Sequence, residues 1–470
     1  MAKELLKKTA TEVGALIHEG KVTSVELTKA LFEHAHALNG QVNAYISFRE
    51  EQALADAQRA DDEIAAGNIK SPLHGVPMAI KDNLYIGGEV TTMASKIHED
   101  FVSADDASVV TRLKEAGVVL TGKLNMHEYA WGIDNNSPHF GAVHNPWNLD
   151  KVPGGSSGGS GAAVAADMSF STLGTDTAGS IRIPSSACGL VGLKPTHGRV
   201  PKYGCFPLAW TLDHIGPMSK SVADAAAMLQ IIAGFDERDP TSVDTPVGNY
   251  QAALGGDPSS LVIGVEEDYF FNKVDSEIES QVRKQIEELE RQGATIKKVS
   301  IPSLAYSEWT ELATSLSEAS AIHHNDLINR ADDFGDDIRF LFELGELFSS
   351  VDYLQAQQIR RQIKQEFDKA LAEVDVLIAP TLPVMPPNIG SAVADLNGED
   401  VDLIDNFIRF TGPSNLTGLP ALSMPVGLNN GMPIGLQIIG RAFDEETVLK
   451  VASIIEAGNP MNGERASIGA

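Results

Sequence analysis

Residues 152–196, VPGGSSGGSGAAVAADMSFSTLGTDTAGSIRIPSSACGLVGLKPT, constrain this chain more than any other stretch. They hold two serine-bearing glycine turns, at 154–161 and 175–180. Between them the pattern predicts a small-residue helix at 162–166 and an apolar strand at 170–173. Glycine admits backbone angles that other residues resist and lets a ligand approach the main chain closely. A serine hydroxyl can donate, accept or attack. Two such turns, joined by a helix and a strand, are expected to bring their hydroxyls close together.

The rest of the chain alternates helix and strand, the pattern of an α/β fold. VPMAI is a buried strand that ends in Lys81-Asp82-Asn83. Residues 105–116 form a helix closed by Gly117 and followed by a strand at 118–124. LVIGV precedes a helix capped by Asp275 or Ser276, with Ile278, Val282, Ile286 and Leu289 on one face. Gly293 ends that helix, and ATIKKVSI is the next strand. ALSMPVG and IGLQIIG flank Asn429-Asn430-Gly431, a hairpin signal. Residues 9–66 read as helices around one short strand, NAYISF, and carry no evident chemistry. The expected organisation is a helical arm (1–66) packed on a core (67–470). No linker-like stretch divides the chain, so it is read as one large domain.

Composition narrows the function. A formal net charge of −28 repels phosphate backbones, so no nucleic acid is expected as a partner. Two cysteines, Cys188 and Cys205, cannot form a disulfide framework and fit a reducing, cytoplasmic setting. No apolar run reaches the roughly 18 to 20 residues that span a bilayer, and no membrane partner is expected. His127-Glu128 does not open an HExxH zinc site, because Trp131 stands where the second histidine belongs. The other histidines are scattered, so no metal is expected. GxGxxG is absent from the 260–301 unit, which removes the support for a dinucleotide; no cofactor is expected.

Four readings of the central stretch compete. A phosphate cradle would use backbone N–H groups at a helix start, but there is no GxxxxGK[ST] and the loops lack a lysine. A nucleophile elbow centred on Ser157 formally matches GxSxG, yet no apolar strand leads into it. Plain flexible turns explain the glycines but not the second serine turn or the upstream lysine. The fourth is a Ser-Ser-Lys hydrolase. Taken alone, Lys81 also reads as a surface lysine at a strand end.

GGSSGGSGAAVAA, then GTDTAGSIRIPSSACGLVGLKPT, resembles the amidase signature family. So do GVPMAIKDN, GKLNMHEYAWG, LDHIGPMSKSV, VDVLIAPTLP, NLTGLPALSMPVG and GMPIGLQIIGR, in the family order, over residues 9–457. The resemblance implies a single large α/β domain, with a mixed twisted β-sheet covered by helices on both sides. It implies Lys81 as the base, Ser156 as a proton relay behind a cis Gly155–Ser156 peptide, and Ser180 as the nucleophile. An amide is a poor electrophile, so the attacking hydroxyl needs a base. A lysine can serve only when neutral, and burial is what lowers its pKa from about 10.4.

Backbone N–H groups of Thr177, Ala178, Gly179 and Ser180 are the implied oxyanion hole. Many family members have two glycines before the nucleophile; here the first is Ala178, whose methyl group narrows the acyl site. Asp176 and Arg182 are expected to brace the loop and Ser157 to support it. Met126, Tyr129, Trp131, Trp210 and residues near 305–350 are candidate substrate-pocket residues, with core packing the competing use of Met126, Tyr129 and Trp131. The expected function is a stand-alone amidase on a small-molecule amide, with ester, anilide and carbamate chemistry also accessible. The resemblance allows a homodimer. The alternative is the glutaminase component of glutamyl-tRNA amidotransferase, weakened because residues 318–340 lack an RYDGxRYG-like block. A further alternative is a catalytically dead binding protein, against which all three catalytic residues stand.

Overall fold

Strands that are apolar along both faces must be covered on both sides, and the computed structural model, which describes residues 2–468, is built that way. Eleven strands form its main sheet. In chain order they are β1 (Tyr45–Phe48), β2 (Pro77–Lys81), β3 (Val119–Leu124), β4 (Ser171–Asp176), β5 (Val191–Lys194) and β6 (His214–Ser219). They continue with β7 (Val262–Glu266), β8 (Thr295–Val299), β9 (Val376–Pro380), β10 (Ala421–Asn429) and β11 (Met432–Gly440). Their order across the sheet is β1-β3-β2-β4-β6-β5-β10-β11-β9-β7-β8. The β3-β2-β4 and β9-β7-β8 triplets are parallel and every other pairing is antiparallel. Every residue of β2, β4, β9 and β11 is buried.

Helices flank this sheet. Gly158–Ala165 packs with Arg182–Cys188, and Val222–Ile232 with Glu445–Ala457, each pair against the central strands. Ser276–Arg291 starts at the Asp275 cap, whose carboxylate accepts from the N–H groups of Glu277 and Ile278. It buries Ile278, Val282, Ile286 and Leu289, as the spacing predicts. The β10–β11 hairpin closes through Asn430 (φ 50°) and Gly431 (φ 79°), the paired positive φ angles that a tight hairpin turn needs. Tyr45–Phe48, from the N-terminal stretch, is the edge strand paired with β3.

The central stretch departs from the sequence reading in two places. The small-residue helix begins at Gly158 rather than at residue 162, because Asn135 Oδ1 accepts its first N–H at 2.8 Å. A methyl group at Gly159 would lie 2.2 Å from the Asn125 carbonyl oxygen, so close packing, not turn flexibility, calls for that glycine. β4 runs on through Thr175 and Asp176, which shortens the second turn to residues 177–180. Three helices, Ser307–Asn329, Asp336–Gly345 and Ser350–Leu371, pack together, and the first two reach over that turn. Among the described residues no helix is long and apolar enough to cross a membrane.

Candidate active site

β2 delivers Lys81 to the centre of the molecule. Its pairing with β4, Ile80 opposite Leu173, sets the lysine beside Thr175. Lys81 is fully buried, and its Nζ lies 2.8 Å from Ser156 Oγ, 2.9 Å from Ser157 Oγ and 2.8 Å from Thr175 Oγ1. No carboxylate pairs with it among the described residues. Burial therefore lowers its pKa from 10.5 to about 7, only partly opposed by the charges of Cys205, Asp176 and Asp213. A neutral amine has two N–H donors and one lone pair. Ser157 Oγ donates to the Thr175 carbonyl (3.2 Å), so it accepts from Lys81. The Ser156 and Thr175 hydroxyls have no such outlet among the described residues, and each is free to donate to Nζ. The Gly155–Ser156 peptide is cis.

Ser180 sits at the end of the shortened turn, 8% exposed, and its Oγ has no hydrogen-bond partner among the described residues. None of the N–H groups of Thr177, Ala178, Gly179 and Ser180 donates a hydrogen bond within the described residues. Thr411 Oγ1 donates to the Ala178 carbonyl at 2.5 Å. Since the peptide is planar and trans, holding that carbonyl on one side turns the Gly179 N–H to the other. Gly179 has φ +139°, and a Cβ there would lie 2.3 Å from Thr411 Oγ1; the turn has room for no side chain at this position.

Below the turn, Arg182 and Asp176 are completely buried and joined by two 3.0 Å hydrogen bonds. Arg182 also donates to Thr411 O, Ser414 Oγ, Gln437 Oε1 and Asn415 Oδ1. Asp176 further accepts from the Ile181 N–H and from Asn415 Nδ2. Burial opposes the Asp176 charge, but Arg182 outweighs it and holds the carboxyl below the usual range. Leaving either charge unpaired costs about 3–5 kcal/mol, so this network fixes both ends of the turn.

Ser180, Thr177 and Ala178 open into a cavity of about 280 Å³. The Ser307–Asn329 helix contributes Glu311, Leu312 and Ser315, and Leu403–Arg409 contributes Leu403, Ile404 and Ile408. Trp131 and His127 complete one wall. His127 Nε2 bonds Asp337 at 2.9 Å and its Nδ1 lies 3.1 Å from Asp134. Burial disfavours the charged ring, yet contacts with these two carboxylates raise it to about 9.

The structure brings Lys81, Ser156, Ser157 and the turn carrying Ser180 into one place. It does not bring Met126, Tyr129 or Trp210 into the cavity. Met126 is buried in an apolar cluster with Tyr129, whose hydroxyl is spent on His98 Nδ1 at 2.7 Å. Trp210 is 48% exposed and lines a separate cleft beside Lys202 and Cys205. Sequence reading assigned no role to Thr175 or Thr411, and reached Glu311 only as part of the 305–350 stretch of pocket candidates. Thr175 stood inside the quoted motif and could have been found as one more hydroxyl; the other two carry no local signal.

A buried amine held by hydroxyls at the end of β4, with the following turn carrying a serine flanked by unpaired amide N–H groups, is the equipment of an acyl-transferring hydrolase. The chain belongs to the Amidase family, whose model matches residues 26–449, and is a hydrolase of C–N amide bonds. It is 43% identical to the A component of the glutamyl-tRNA(Gln) amidotransferase of Roseiflexus sp. (strain RS-1), over 94% of each protein. Among solved structures, a protein of a vestigial complex bearing on the origins of an s-triazine catabolic enzyme superposes with TM-score 0.92. It is 32% identical and covers 96% of this chain and 98% of its own. The A component of Thermotoga maritima glutamyl-tRNA(Gln) amidotransferase has TM-score 0.84 at 36% identity, covering 99% of both chains.

These relatives correct the expected partners, a small amide and at most a second copy of the chain with no nucleic acid. The relatives are named as one subunit of an enzyme that is itself named for a tRNA. Net charge describes the average surface of one chain, and in an assembly other subunits can supply the surface that meets the nucleic acid.

Proposed function

We propose that this protein releases ammonia from an amide through an acyl-enzyme on Ser180, and that it does so as the glutaminase component of a glutamyl-tRNA(Gln) amidotransferase. The observation that carries the chemistry is Lys81, buried without a counter-charge at 2.8 Å from Ser156. Neutral Lys81 draws the Ser156 proton while Ser156 takes the proton of Ser180. Ser180 Oγ then bonds the amide carbon, and the oxyanion is held by the free N–H groups of residues 177–180. Collapse breaks the C–N bond, and the proton returns through Ser156 to the departing ammonia. Water repeats the path and restores Ser180. The role within a larger enzyme is supported by 43% identity across 94% of the Roseiflexus protein. The unpaired Cys188 and Cys205 support a reducing, cytoplasmic setting.

A second reading, an amidase for some other amide, is favoured by one observation. Glutamine carries a carboxylate, whereas no lysine or arginine lines the cavity. The test is ammonia release from glutamine and from simple aliphatic, aryl and carbamate substrates, with Ser180→Ala beside wild type. Glutamine turnover, alone or on adding the partner subunits, supports the first reading. Turnover of simple amides without glutamine turnover selects the second. No Ser180-dependent product from any of them overturns both.

A further inference from the structure

Glu311 is out of place for a buried carboxyl. It lies one turn into the Ser307–Asn329 helix, 2% exposed, and neither of its oxygens has a hydrogen-bond partner. A buried polar atom left unpaired is unfavourable, and such groups are rare in folded proteins. Two cations act on it, Arg360 and Arg182; Arg360 spends its donors on Leu416 O, Thr211 and Gln357, and Arg182 spends its donors on Asp176, Thr411, Ser414, Gln437 and Asn415. Burial, weakly opposed by Arg360, pushes the carboxyl well above its usual range. Glu311 nonetheless lines the same cavity as Ser180. Its Cγ would lie 3.5 Å from a Cβ on Gly412, next to Thr411, which holds the Ala178 carbonyl. Glu311 thus stands in the cavity wall beside the Thr411–Gly412 segment, with both oxygens covered.

Carboxylates outnumber cations among the remaining charges of the lining. Asp134, Asp337 and Asp402 line it, the one imidazole, His127, is shared between Asp134 and Asp337, and no lysine or arginine takes part. We propose that Glu311 is the specificity determinant of this site and receives a primary ammonium on the acyl part of the substrate, so that the preferred substrates are amides of amino acids or amino-alkyl acids. This rests on the reading of the cavity as the acyl site of an amide hydrolase; glutamine, with its ammonium, belongs to the class. An ammonium supplies the three donors that both Glu311 oxygens lack. A neutral alkyl group of the same size would leave the carboxyl unpaired.

The test compares 5-aminopentanamide with hexanamide, in which a methyl group replaces the ammonium. Binding to the full-length Ser180→Ala protein is measured by calorimetry, and ammonia release by the wild-type enzyme. The expected result is binding of 5-aminopentanamide about 10- to 100-fold tighter than hexanamide, the range of a charge-assisted hydrogen bond. Adding Glu311→Gln to the Ser180→Ala protein removes that preference while leaving hexanamide affinity within about threefold. Equal or tighter hexanamide binding overturns the proposal, as does no binding of either, or a preference that survives Glu311→Gln. The wild-type preference needs no folded variant, so a misfolded Glu311→Gln protein does not spare the proposal. An ammonium preference in binding without turnover of either amide retains Glu311 as the subsite and overturns the hydrolase reading for these substrates instead.

Discussion

Two lysines on neighbouring strands, Lys81 on β2 and Lys123 on β3, are both buried to 1% exposure or less. Their surroundings differ in one respect. Lys123 Nζ meets the Asp82 carboxylate at 3.1 Å, along with the Leu84 carbonyl and Thr91 Oγ1. Lys81 meets three hydroxyls and no carboxylate. Burial is the largest cause at both and lowers the pKa of both; at Lys123 it is opposed by the charge and hydrogen bond of Asp82, and at Lys81 it brings the amine to about 7. Depth alone thus does not make a base. What separates the two is the partner: Lys123 has a carboxylate within an ion pair, whereas Lys81 has only hydroxyls.

The largest contrast is expected from removing each amine. Lys81→Met should cut amide turnover by about a thousand- to ten-thousand-fold, the loss of a general base, while the folded protein remains. Lys123→Met should do the reverse. It leaves Asp82 buried and unpaired, lowering stability by about 3–5 kcal/mol, with kcat per folded molecule little changed. Ammonia release and denaturant melts separate the two; a comparable loss of kcat in both variants breaks the distinction.

pH sharpens it further. kcat/KM should fall about tenfold per unit below pH 7 and level off above it, because the proposed mechanism runs through the neutral form of Lys81. Stability should carry the same signature. Between about pH 7 and 10.5 the unfolded chain holds a proton that folded Lys81 has lost, so the Lys81 contribution to stability rises with pH over that window and disappears in Lys81→Met. A profile flat from pH 5 to 9 removes Lys81 from the chemistry.

Smaller effects are expected where the turn is held rather than where protons move. Thr411→Val frees the Ala178 carbonyl and should lower kcat about tenfold with KM nearly constant, since the Gly179 N–H is then less well aimed; Thr411→Ser should restore it. Ser157→Ala removes one acceptor from Lys81 and should cost activity a few-fold, with the kinetic midpoint near pH 7 displaced. An unchanged midpoint means that Ser157 only packs.

Lys81, Ser156 and Ser180 could be proposed from the sequence because their signals are local: a lysine ending an apolar run and two serines among glycines, each readable within about ten residues. The strands β7 to β11 were legible for the same reason, through apolar runs, caps and the Asn-Gly hairpin. Met126, Tyr129 and Trp210 were misread as pocket residues because an aromatic in a sequence does not say which cavity, if any, it faces. Tyr129 is packed among Phe206, Phe334, Phe342 and His323, contacts that depend on helices some 200 residues further along the chain. The partners were misread because a net charge averages over the whole surface.

What the sequence determined by itself was the chemistry on offer: the two serine turns, the lysine and the α/β alternation that places strands between helices. What only the tertiary structure decided was the state of those groups. The Lys81 pKa is lowered because β2 and β4 enclose it and no carboxylate among the described residues pairs with it. The Ala178–Gly179 peptide is aimed by Thr411, 233 residues away. Glu311 faces the acyl cavity because a separate helix lies over the turn. Dehydration, orientation and the lack of a partner are properties of packed neighbours, and neighbours so distant in the chain leave no local trace in it.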